Sequence, residues 1–100
     1  MQQKLTGQCL CGAIAYEIHG ELGPIVNCHC SKCRRWQGAA FRTRAAVKTG
    51  NFIWLKGAEL LSRYNSSEFV TKTFCSICGS ALISEWSNTP EYIGVPLGGI

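Results

Sequence analysis

Aspartate is absent from this chain of 100 residues, and charge of either sign is scarce at 16%. Six Glu stand against ten Lys and Arg, which leaves a net charge of +4. So mild a basic balance favours anionic ligands in general without naming one. A long basic run is missing too, and no aromatic ladder interleaves with the arginines, so nucleic acid is not the expected partner. No apolar stretch approaches the roughly 18 residues that a membrane span needs. No hydrophobic leader follows Met1-Gln2-Gln3-Lys4, which runs directly into Leu5-Thr6-Gly7; a cytoplasmic location is expected on that ground. Repeats and low-complexity linkers are lacking, and residues 1–100 are expected to form one domain. Hydrophobic residues make up 46%, with Trp36, Trp54 and Trp86 among them, which marks a folding sequence and excludes disorder.

Cysteine is what the chain has in excess. Seven occur in three groups: Cys9-Leu10-Cys11, Cys28-His29-Cys30-Ser31-Lys32-Cys33 and Cys75-Ser76-Ile77-Cys78-Gly79. An odd number and no leader argue against a disulfide framework. The long ferredoxin-type spacing is missing, which argues against an iron–sulfur cluster. Zinc remains, because reduced cysteines clustered at short spacing more often bind metal. In so short a chain a structural zinc contributes on the order of 10–16 kcal/mol, comparable to a whole domain's stability.

The dominant sequence period is two. Ile14, Tyr16 and Ile18 alternate with Ala13, Ala15 and Glu17, predicting a half-buried strand over 13–19. Further strands are predicted over 41–47, 52–55, 69–74, 81–86 and 92–95. Gly, Asn, Ser and Pro clusters separate them, so the expected fold is mainly β, built of antiparallel sheet. A single short helix is expected near residues 31–37, with Ser31 as its N-cap. Gly79 can take the positive φ that a zinc-knuckle turn requires.

Two, three and two cysteines do not divide into one tetrahedral site. Cys28, Cys30 and Cys33 can form a tripod from six consecutive residues, leaving Cys9, Cys11, Cys75 and Cys78 as a closed four-thiolate site that ties distant parts of the chain together. A rival division joins Cys9 and Cys11 to Cys28 and Cys30 and leaves Cys33 with the knuckle. The i, i+2 spacing of Cys9 with Cys11 and of Cys28 with Cys30 would place each pair on one face of extended backbone, and His29 would then point away from the metal. Three ligands leave a coordination position open, the count of a catalytic zinc. An electron-rich three-thiolate zinc suits ionising a thiol, so thiol addition or transfer is expected ahead of hydrolysis.

The segments Gly7-Gln8-Cys9-Leu10-Cys11-Gly12 to Glu17, Asn27-Cys28-His29-Cys30-Ser31-Lys32-Cys33-Arg34-Arg35-Trp36 to Phe41, and Phe74-Cys75-Ser76-Ile77-Cys78-Gly79-Ser80 closely resemble the glutathione-dependent formaldehyde-activating enzyme family, also called the centromere protein V/GFA domain. The resemblance runs from about Thr6 to Leu97-Gly98-Gly99. It implies a zinc-stapled β-tent fold of small antiparallel sheets. It also implies that Cys9, Cys11, Cys75 and Cys78 hold a structural zinc and that Cys28, Cys30 and Cys33 hold a catalytic one. The activity implied is that of a carbon–sulfur lyase, S-(hydroxymethyl)glutathione synthase-like, joining glutathione to formaldehyde. Family members usually continue past the position of Leu97-Gly98, whereas this sequence ends at Ile100.

Arg34 and Arg35 follow the tripod directly and are candidates to pair with the two glutathione carboxylates, since Arg makes bidentate carboxylate contacts. Trp36 and Phe41 read as core or pocket wall. The leading expectation is therefore a zinc enzyme with a small-molecule thiol and an aldehyde as substrates. The alternative is a zinc-stabilised binding module without turnover, in which Arg42 and Arg44 would share a strand face and contact a protein or phosphates. Metal storage or redox sensing through Cys28, Cys30 and Cys33 is a third reading.

Overall fold

The computed structural model describes residues 4–100. Among these residues, β1 (Lys4–Gln8), β2 (Ala15–His19) and β5 (Phe52–Lys56) form a three-stranded sheet in the order β1-β2-β5. A six-stranded sheet has the order β3-β4-β9-β8-β7-β6. It is built from β3 (Ile25–Cys28), β4 (Arg42–Lys48), β6 (Leu61–Asn65), β7 (Val70–Cys75), β8 (Ala81–Trp86) and β9 (Tyr92–Pro96). Every pairing is antiparallel. The mainly β, antiparallel architecture is as the alternation predicts, and α1 (Ser31–Gln37) is the single α-helix of the described residues. Among the described residues no helix is long and apolar enough to cross a membrane.

Three strands lie outside the six expected, and each is a sheet edge: β1 borders the small sheet, and β3 and β6 border the large one. β1 alternates in burial but has only Leu5 and Gly7 on its inner face, whereas an edge strand with exposed side chains on both faces, as β3 and β6 are, carries no period-two signal. β3 has three exposed residues of four, and β6 has three of five.

The core lies between the sheets. Ile14, which leads into β2, and Tyr16 and Ile18 from the small sheet meet Val47, Ile83, Ile93 and Val95 from the large one, all buried. Tyr16 stacks on Phe52 at 4.9 Å and meets Trp54 edge-on at 6.1 Å, geometries that aromatic rings prefer.

The opposite face of the large sheet is polar. Lys72 pairs with Ser84, Ser84 with Gly94 and Gly94 with Ala46. Cross-strand partners share a face, and so do residues two apart, so Lys72, Arg42 and Arg44 all project away from the core. α1 covers this face, with the Trp36 ring 4.9 Å from both the Arg42 guanidinium and Lys72 Nζ.

Two features differ from expectation. The N-cap of α1 is Cys30, not Ser31: Cys30 is extended and its Sγ accepts the Cys33 N–H at 3.4 Å, taking the place of a hydroxyl cap. Cys9-Leu10-Cys11 is a turn rather than extended backbone, closed by Gly12 N–H donating to Cys9 O at 3.1 Å with Gly12 at φ 79°. The two sulfurs share a side because the turn wraps, not because a strand alternates.

Candidate metal centre and adjoining cleft

Two sulfur clusters form, and they divide as four and three. The Sγ atoms of Cys9, Cys11, Cys75 and Cys78 all lie within 4.8 Å of one another, and so do those of Cys28, Cys30 and Cys33. The rival division does not occur, because β3 and the knuckle after β7 are held apart by the sheet order. None of the seven cysteines is in a disulfide.

The four-cysteine cluster joins two turns. One follows β1; the other follows β7, where Gly79 at φ 79° donates its N–H to Cys75 O at 2.9 Å. A tetrahedron of sulfurs about 2.3 Å from a metal has edges of about 3.8 Å. Cys9 and Cys11 are 3.6 Å apart, and Cys11 and Cys75 are 3.9 Å apart. Backbone N–H groups already point at the sulfurs: Ile14 at Cys9 (3.3 Å), and Ile77 and Cys78 at Cys75 (3.4 Å each). Such donors stabilise thiolate charge and orient metal ligands. Ser80, which the sequence reading did not single out, sits 3.2 Å from Cys78 Sγ and accepts the Leu10 N–H at 2.8 Å. Its hydroxyl holds the Cys78 thiol down to about 5. The donor set, sulfur spacing and N–H contacts fit a divalent soft-to-borderline metal.

The three-cysteine cluster is more open. Cys30 is exposed, Cys28 half-buried and Cys33 buried. Cys28 and Cys30 are 3.6 Å apart, again a tetrahedral edge. The backbone N–H of Cys33 draws Cys30 down to about 7, while burial pushes Cys33 up, with Cys28 and Cys30 adding to the rise. His29 stands outside the cluster and rests on Phe41 at 5.1 Å.

Above the tripod lies a cleft of about 270 Å³. Its walls include Lys32, Arg42, Arg44 and Lys72, together with Trp86, Ser66 and Ser67, and among the described residues no carboxylate lines it. Arg44 lies 4.9 Å over the Trp86 ring. Lys72 Nζ is 4.0 Å from Cys33 Sγ, and its pKa is lowered by burial and by the neighbouring Arg42. Lys72 lies two residues after Val70 in β7, and a register shift between Thr73 and Phe74 takes Phe74 out of the alternation, so no local period singles Lys72 out.

The arginines are distributed differently from their place in sequence. Arg35 lines an adjoining cleft with Lys32, Trp36, Tyr64, Ser66 and Lys72, whereas Arg34 Nε donates to His29 O at 3.1 Å. Arg42, read as an exposed phosphate contact in the binding-module alternative, is 1% exposed and donates from Nη2 to Gly94 O. Burial under α1 takes it out of reach of a nucleic-acid backbone. A third cleft of about 360 Å³, bordered by Phe52, Trp54, Glu85 and Tyr92, contains no cysteine.

Known proteins resemble this chain in sequence and fold. The chain is 30% identical over 82 residues to an uncharacterized lyase of Schizosaccharomyces pombe, an alignment covering 82% of this chain and 58% of that protein. The chain thus spans well under two thirds of that relative's length. A crystal structure of a Rhodobacter sphaeroides protein superposes with a TM-score of 0.80 at 29% identity, covering 96% of this chain and 87% of the other. Residues 4–100 match the family described as glutathione-dependent formaldehyde-activating enzyme, and the chain belongs to that family.

Proposed function

We propose that the protein is a zinc-dependent carbon–sulfur lyase-type enzyme that adds a glutathione-like thiol to a small aldehyde such as formaldehyde. In this reading Cys9, Cys11, Cys75 and Cys78 hold one zinc with a structural role, and Cys28, Cys30 and Cys33 hold a second, catalytic one. The observation that carries it is the open three-sulfur cluster at the base of a cleft walled by four cations. A zinc ion at the tripod would supply an open Lewis-acidic position at which a thiol ionises near neutral pH.

The chain's own residues do the rest. Arg44 and Lys32 stand on the cleft wall to pair with carboxylates of the thiol substrate, and Arg35 extends that positive surface into the adjoining cleft. Trp86, held under the Arg44 guanidinium, forms an apolar wall that limits water. The cationic walls raise the local concentration of an anionic thiol and fix its orientation, leaving a small uncharged aldehyde to approach from solvent. The net reaction moves a thiol S–H across the carbonyl: sulfur bonds to carbon, and oxygen takes the proton.

Native mass spectrometry of reduced protein, combined with NMR detection of the glutathione–formaldehyde adduct, tests this. Two zinc ions per chain and faster adduct formation are expected. Cys30→Ser is expected to keep its fold and one zinc while losing turnover. Fully loaded protein that does not accelerate adduct formation would overturn the proposal, as would full activity in Cys30→Ser.

A further inference from the structure

Two cations lie beside the tripod with no carboxylate to neutralise them. Arg42 is 1% exposed and Lys72 is 5% exposed. Among the described residues, the ion pairs involve only Glu17 with Lys4 and with His19, far from this face. Neither cleft that Lys72 lines contains a Glu. Burial of an unpaired cation is strongly unfavourable, so buried cations are found with a counter-charge. The Trp36 ring faces both at 4.9 Å and offsets part of the cost. The groups within reach that could carry negative charge, as metal-bound thiolates, are sulfurs: Cys33 Sγ is 4.0 Å from Lys72 Nζ and belongs to the tripod with Cys28 and Cys30.

The charges can be counted. Three thiolates and a divalent metal leave one negative charge. Arg42 and Lys72 add two positive charges, so the buried assembly carries one positive charge until a fourth ligand arrives. An anionic ligand brings it to neutrality; a neutral ligand leaves a net charge in a low-dielectric setting, where it costs most. Resting on the proposed metal-holding role of the tripod, we infer that Lys72, braced with Arg42 against Trp36, is a positioning residue that makes the tripod select an anionic fourth ligand over a neutral one. The aldehyde, being neutral, is thereby kept off the metal position, and the thiol substrate is admitted as thiolate.

Cobalt(II) is a suitable probe, because thiolate-to-metal absorption reports the ligands at each site. Reduced full-length chain loaded with cobalt is titrated with 2-mercaptoethanol as the thiolate donor and, separately, with imidazole as the neutral one. Lys72→Met, which keeps length and removes charge, is expected to weaken mercaptan binding at the tripod on the order of tenfold and to leave imidazole affinity unchanged. Lys72→Arg is expected to restore the preference. An unchanged four-cysteine absorption shows that the variants are folded. Equal weakening of both ligands, or no change in either, overturns the inference. Loss of tripod cobalt in Lys72→Met alone also overturns it, in favour of a purely structural role. Wild-type protein that takes up only one cobalt fails at the earlier step and overturns the proposed function instead.

Discussion

The Ser80 hydroxyl accepts the Leu10 N–H at 2.8 Å across 70 residues of sequence while contacting Cys78 Sγ at 3.2 Å. One side chain thus ties the turn after β1 to the knuckle after β7 and supports a sulfur of the four-cysteine cluster at the same time. Ser80→Ala removes both contacts. It is expected to lower metal affinity at this cluster by about 10-fold or more and stability by about 1 kcal/mol. Competition with a chromophoric chelator and thermal unfolding measure the two effects. Unchanged affinity would show that the hydroxyl does not support the ligand.

Metal removal is expected in two stages. The tripod is open, with Cys30 exposed, whereas Cys9 and Cys75 are buried in the core cluster. A graded chelator series followed by circular dichroism and bound-metal analysis is expected to strip the three-cysteine site first, with the β signal intact. The second metal is expected to leave only with unfolding, since its ligands staple β1 to β7. Simultaneous loss of both metals with the fold retained would contradict the structural role of the four-cysteine site.

Gly94 admits the Trp86 ring. A Cβ there would lie 2.7 Å from Trp86 Cη2 and 3.2 Å from Arg44 Cδ. Gly94→Ala is therefore expected to displace the Trp86–Arg44 pair from the cleft wall, raising KM for the thiol several-fold with a smaller change in kcat. Overpacking adds a stability cost of about 1–3 kcal/mol. Steady-state kinetics and near-ultraviolet circular dichroism of the tryptophans check it; an unchanged KM would remove Trp86 and Arg44 from the binding surface.

Burial raises the Tyr16 phenol from its ordinary value of 10 to about 12. The folded state thus favours the neutral phenol. Its contribution is fully present below pH 10 and is lost as pH rises from 10 to about 12, because the unfolded chain ionises first. The full loss is on the order of 2–3 kcal/mol. The Tyr16 hydroxyl is buried without a hydrogen-bond partner, so Tyr16→Phe is expected to change stability little at pH 7. Urea unfolding at pH 8 and pH 11 compares the two chains. The same alkaline loss in both would remove Tyr16 as its source.

Local chemistry along the chain was enough for much of this. Alternation at Ile14, Tyr16 and Ile18 marks β2 and its buried face, because the period of a strand is a property of the backbone alone. The spacing of Cys28, Cys30 and Cys33 brings three sulfurs together within six residues, whatever the rest of the chain does. Gly79 marks its own turn for the same local reason. What tertiary structure decided is everything that depends on strand order and register. The union of Cys9 and Cys11 with Cys75 and Cys78 required the turn after β1 to meet the end of β7, a choice between two divisions that spacing left open. The edge strands β3 and β6 exist because a neighbour supplies hydrogen bonds, not because their side chains alternate, whereas β1 alternates in burial but shows only Leu5 and Gly7 on its inner face. Arg42 and Lys72 lie 30 positions apart and reach one tryptophan only because β4, β9, β8 and β7 stand side by side. Charges brought together across a sheet leave no trace in local sequence, since their energy depends on distance through space and on burial, neither of which spacing along the chain encodes.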